Sequence, residues 1–134
     1  MSLIESCVSI GIIAAVAVLA TPELNRAREI YVLDAAARQV ASRMHSARIQ
    51  AISRNRDCRV RVTSDVTYAV ECQDPGWLIA AADVLPSGLR ITANAAPEFH
   101  ARGNVSPAAT LTVWDSRLRS KRVIVNITGR VRVE

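Results

Sequence analysis

From Leu3 to Ala20 every position is apolar or small except Glu5, Ser6 and Ser9, close to the ~20 residues that a membrane-spanning helix needs. Beyond Ala20 the pattern changes without stopping. Ile30, Leu33, Ala37, Val40, Met44, Ala47 and Ala51 recur at alternating steps of three and four, which is one apolar stripe along a helix. Arg28, Asp34, Arg38, Arg43 and Arg48 occupy the other side and are expected to face solvent. The spacing predicts one long helix over the first ~55 residues, apolar all round at first and amphipathic afterwards. Pro22 lacks a backbone donor and crowds the preceding turn, so a kink or loosened turn is expected between Val18 and Pro22. A second helix starting at Thr21-Pro22 is the alternative.

After Asn55 the period drops to two. Cys58, Val60 and Val62 alternate with Arg59 and Arg61, Thr63 to Thr67 form a polar turn, and Tyr68, Val70 and Cys72 alternate again. This predicts a hairpin, and counting outward from Asp65 sets Cys58 opposite Cys72. A cross-strand disulfide follows in an oxidising compartment, two reduced buried thiols otherwise. Trp77 to Ala82 and Leu89 to Thr92 are weaker strand candidates around Pro86-Ser87-Gly88, and Asn94 to Pro107 reads as loop. Strands return at Thr110 to Trp114, Arg122 to Ile127 and Arg130 to Val133. The expected class is α+β, a long helix packed on a small antiparallel sheet.

A chain of 134 residues is one domain's worth, and with its first quarter in a membrane about a hundred residues remain for a core. The expected division is 1–28 as the membrane-spanning half of the helix and 29–134 as the globular domain, with helix to residue 55 and sheet over 57–134. The net charge of +5 rests on 17 basic residues, of which only Lys121 is lysine, and suits phosphates, acidic lipid or acidic protein. Catalytic and metal constellations are missing from the sequence. His45 and His100 have no second histidine at ligand spacing, and Cys58 and Cys72 lack CxxC spacing. There is no glycine-rich phosphate loop or nucleophile elbow. An enzyme is not expected, and neither is a metal or a cofactor. The odd cysteine count leaves Cys7 over.

A carboxylate inside an apolar run costs roughly a few kcal/mol in hydrocarbon and is normally kept for a partner or a function. Glu5, following Ser2-Leu3-Ile4 and combined with Pro22, resembles the N-terminus of the type IV pilin and type II secretion pseudopilin superfamily. The helix end Ala51 to Arg56, the late strand Thr110 to Trp114 and the ending Lys121 to Arg132 resemble its GspH/FimT branch. The resemblance implies a pilin fold and a prepilin held in the inner membrane by a single pass, with its C-terminal domain in the periplasm. It also implies cleavage after a glycine, methylation of the new N-terminus and assembly into a helical filament with copies of itself or other pilins. Met1 is then the processed amine. Glu5 would meet the amine of a neighbouring subunit, each neutralising the other in an apolar filament core. A glutamate lying among lipid headgroups is the alternative. The partners implied are other pilins and the pilus or secretion assembly machinery.

Arg130 and Arg132 alternate with Val131 and Val133, so the arginines share a strand face while the valines pack inward. Arg117, Arg119, Lys121 and Arg122 are close enough in sequence to join that surface, which suits phosphate contacts. Gly129-Arg130-Val131-Arg132 resembles the GRxR motif with which some FimT-type pilins bind double-stranded DNA in natural transformation. The alternatives to a filament subunit are therefore a DNA-binding minor pilin and a single-span anchored periplasmic domain that never polymerises.

Overall fold

Ser2 begins the chain's one long helix as its N-cap, its Oγ accepting a hydrogen bond from the Ile4 amide at 3.2 Å, the position where an oxygen satisfies an otherwise unpaired donor. The computed structural model describes residues 2–134; Met1 lies outside them. Helix α1 spans Leu3–Arg54 and remains helical on both sides of Pro22, so no second helix starts at Thr21. Next to the proline, the Thr21 hydroxyl donates to the Ala17 carbonyl at 2.8 Å, satisfying an acceptor within the helix. The chain divides into two compact units between Val32 and Leu33.

In the first unit no described residue is buried. The stripe of the second unit starts at Leu33 and comprises Leu33, Ala36, Ala37, Val40, Ala41, Met44, Ala47 and Ala51. Ile30, expected in that stripe, lies in the first unit and is exposed.

The strands form two antiparallel sheets. The first contains β1 (Cys58–Ser64), β2 (Thr67–Gln73), β3 (Trp77–Val84), β5 (Glu98–Phe99) and β6 (Val105–Ser106), in the order β3-β2-β1-β5-β6. The second contains β4 (Arg90–Ala93), β7 (Ala109–Trp114), β8 (Ser120–Val125) and β9 (Val131–Val133), in the order β4-β7-β8-β9. Alternation fixes their inner faces: Cys58 and Val60 on β1, Leu111 and Val113 on β7, and Val123 and Val125 on β8 are all buried. The buried stripe of α1 packs on these faces. The segment 94–107, read from sequence as loop, contains β5 and β6, which pair through Glu98↔Ser106 and Phe99↔Val105. Phe99 and its partner Val105 are buried, so this short hairpin contributes to the core.

Polar contacts tie the helix to both sheets. Asp83 on β3 receives Arg43 in a two-point contact at 2.5 and 2.8 Å. Asp34 receives Lys121 on β8 at 3.7 Å. The Arg48 Nη1 group donates to the Gly129 carbonyl at 3.4 Å. Arg43 and Arg48, expected to point to solvent, therefore reach across to the sheets, since an arginine stem is long enough to follow apolar surface to a distant acceptor. Arg38 stays on the exposed face, paired with Asp34 at 2.7 Å.

Candidate functional site

Two regions carry the residues that the sequence marks, and each belongs to a different unit. The first is the N-terminal half of α1. Glu5 lies in its first turn and is exposed, surrounded by uncovered apolar side chains: Leu3, Ile4, Val8, Ile10, Ile12, Ile13, Val16, Val18 and Leu19 are all at least half exposed. Serines within the run turn back on the helix, Ser9 Oγ donating to the Glu5 carbonyl at 2.8 Å, so their hydroxyls need no solvent. By length and composition this helix can cross a membrane. Cys7 is a free, exposed thiol within it. The amine of Met1, the other half of the ion pair that the resemblance implies, is outside the described residues. Pro22 is exposed on the same unit.

The second region is the C-terminal hairpin. Its turn is built by Asn126, whose Oδ1 accepts from the Arg130 amide at 2.9 Å and from the Thr128 hydroxyl at 2.7 Å. Gly129 closes it with φ of 81°, and a Cβ there would collide with the Gly103 carbonyl oxygen. Both conditions require glycine, which gives Gly129 a structural role. β9 then pairs with β8 through Ile124↔Arg132 and Val125↔Val131. Cross-strand partners share a face, so Arg132 and Arg130 lie with Arg122 and Ile124 on the outer face, and Val131 and Val133 are half-buried.

Lys121 and Arg119 do not join that surface. Lys121 has the parity of the buried Val123 and Val125 and points the other way, to Asp34. Arg119 folds onto Asp115 at 2.6 Å. Asp115 Oδ1 also accepts from the amides of Arg117 and Arg119, each at 2.9 Å. Burial alone would raise the Asp115 carboxyl, but the Arg119 amide and guanidinium and the Arg117 amide together hold it below its ordinary value. Arg122 and Arg132 both pair with Glu134, the former at 3.4 Å. Arg130 alone among these outer-face arginines forms no ion pair with a described residue. Together with Asn126, Arg132 and Ile124 it lines a small open cleft.

Cys58 and Cys72 are directly paired in a register that runs to Val62↔Tyr68 and is centred on Asp65; their sulfurs are joined at 2.03 Å. The disulfide lies at the open end of the β1–β2 hairpin, on its buried face. On the opposite face Arg59 bonds Glu71 at 2.6 Å and stacks 4.1 Å over the ring of Trp77. Tyr68, fully enclosed, has its phenol pushed up to about 12, by burial first and then by Asp83, with Arg43 opposing.

A long N-terminal helix whose second half packs on antiparallel sheets while its first half is apolar and uncovered defines a pilin-like protein. The minor pseudopilin EpsH from the type 2 secretion system of Vibrio cholerae superimposes with a TM-score of 0.67 at 18% identity, covering 76% of this chain and 95% of that one. The type IV minor pilin FimU of Pseudomonas aeruginosa gives a TM-score of 0.65 at 19% identity, over 79% and 90% of the two chains. Residues 36–129 match the family described as Type II transport protein GspH, and the chain belongs to that family within the type IV pilin and pseudopilin superfamily. No curated protein matches the sequence. The family and fold are those of structural subunits of filaments, not of enzymes.

Proposed function

We propose that this chain is a structural subunit that polymerises through the N-terminal half of α1 into a type IV pilus or a type II secretion pseudopilus. It waits in the inner membrane as a single-pass protein with residues 33–134 in the periplasm. The observation that carries the reading is the uncovered apolar half-helix with one carboxylate near its start. Leaving nine large apolar side chains in water would cost on the order of 14–27 kcal/mol at ~1.5–3 kcal/mol each, so lipid or neighbouring helices must cover them. A plain anchor would have no use for Glu5, whereas a subunit packed among other helices gains a register from it. Its counter-charge is then the N-terminal amine of a neighbour, methylated after cleavage of a prepilin.

The test is whether Glu5→Ala and Glu5→Val remain in the membrane fraction yet are lost from sheared filaments. Wild-type levels of incorporation by both variants would leave a non-polymerising anchored domain as the better account.

A second reading, a minor pilin that binds double-stranded DNA, is favoured by one observation: Arg122, Arg130 and Arg132 share an outer sheet face beside the Asn126 cleft. Arg130 is the strongest phosphate contact of the three, because Glu134 competes for the other two. Detergent-solubilised chain should retard duplex DNA at low salt, and the Arg130→Gln/Arg132→Gln pair should abolish the shift. No shift at low salt removes this reading.

A further inference from the structure

Three donors that the sequence scatters over more than forty positions meet on the outer face of the first sheet. The register Cys58↔Phe99 and Arg59↔Glu98 sets Asp57 against His100, and alternation along β5 puts Glu98 on the same face as His100. Asp57 Oδ1 and His100 Nδ1 are 3.1 Å apart, and donor atoms of Asp57, Glu98 and His100 all lie within 4.8 Å of one another, each residue half-buried.

The backbone beneath them is fixed. The Gln73 amide donates to the Asp57 carbonyl at 2.9 Å, while the His100 amide and carbonyl bond Asn104 and Gly103 at 2.9 and 2.8 Å.

We propose that Asp57, Glu98 and His100 form a site for a divalent transition metal, with Zn²⁺ the ion that its donors suit best. Ligands bound at ~2.0–2.1 Å around a tetrahedral ion stand about 3.3 Å apart, so Asp57 and His100 already have the required separation. The flexible Glu98 side chain closes the remainder by a rotamer change. An imidazole nitrogen with two carboxylates favours zinc over Ca²⁺ or Mg²⁺, which take oxygen ligands alone. Three protein ligands leave a fourth position for water. The surrounding charge agrees. Arg59, the cross-strand partner of Glu98, is matched by Glu71, and Arg56, next to Asp57, by Asp74, and no arginine or lysine among the described residues pairs with Asp57 or Glu98. Two carboxylates and one imidazole thus present a net negative cluster on an otherwise basic protein.

The experiment is calorimetric titration of Zn²⁺ into chelator-treated full-length chain in detergent. A Cys7→Ser background removes the exposed thiol as a competing ligand. One Zn²⁺ per chain is expected, with X-ray absorption showing nitrogen and oxygen but no sulfur neighbours. Glu98→Gln and His100→Gln should each weaken binding at least about tenfold, whereas His45→Gln should leave it unchanged. Glu98 makes no polar side-chain contact with another described residue beyond the cluster, so its variant separates lost ligation from lost structure; circular dichroism checks both variants. No saturable binding, wild-type affinity in both ligand variants, or tighter binding of Ca²⁺ than of Zn²⁺ would overturn the proposal.

Discussion

The two halves of α1 have similar helical geometry and opposite solvent histories. From Leu33 onward Ala37, Val40, Met44, Ala47 and Ala51 are fully buried by the chain's own sheets. Before Val32 the chain covers none of the described apolar side chains. The second half has small residues at most contact positions, and its charged groups reach the sheets: Arg43 to Asp83 on β3, Arg48 to the Gly129 carbonyl, and Asp34 to Lys121 on β8. The first has bulky aliphatics all round and a single acid before Glu23. Stability therefore resides in residues 33–134, which hold the buried core, whereas the apolar half-helix before them is left uncovered by the chain.

This contrast can be broken by substitution. Met44→Ala, in the enclosed stripe, should cost about 2–5 kcal/mol of unfolding free energy, whereas Ile12→Ala, equally apolar but exposed, should change it by less than about 0.5 kcal/mol. Denaturant titration of the full chain in detergent, followed by the fluorescence of Trp77 and Trp114, reads both. An equal loss from the two substitutions would end the distinction. Replacing Cys58 and Cys72 by serine opens a loop whose ends are 14 residues apart and should cost about 3 kcal/mol by the same assay, leaving membrane insertion untouched.

The smallest effect is acid sensitivity. Asp34 is held below its ordinary value chiefly by the Arg38 hydrogen bond, against opposition from burial, with Lys121 assisting. Asp115 is lowered by the Arg119 and Arg117 contacts. A depressed folded value means that this stability is present above the ordinary carboxylate pKa of about 3.9 and is lost as pH falls through the folded value. Melting of the globular unit should therefore drop by a few degrees between about pH 5 and pH 3, and Asp115→Asn should flatten that slope.

Much of this fold is legible in the sequence where a period runs long enough. The stripe from Leu33 to Ala51 and the alternation either side of Asp65 each span several repeats, and the structure follows them. Two-residue strands have no period, which is why β5 and β6 read as loop and why the core position of Phe99 was invisible. Ile30 continues the stripe by spacing alone, but spacing cannot say where the covering sheet ends. The acceptors of Arg43 and Arg48 lie 40 and 81 residues away, beyond any local pattern. Lys121 is a different case. Val123 and Val125 already placed it on the inner face, and the density of arginines around it obscured that signal. The grouping of Asp57 with Glu98 and His100 depends on pairing between β1 and β5, so no sequence spacing announces it.

The most direct test of the central claim is a helical reconstruction of filaments containing this chain, at a resolution that shows side chains. The apolar halves of α1 should pack together in the filament interior, with the Glu5 carboxylate within about 4 Å of a neighbouring subunit's N-terminal amine. Glu5 facing lipid or solvent, with no cation in reach, would contradict it.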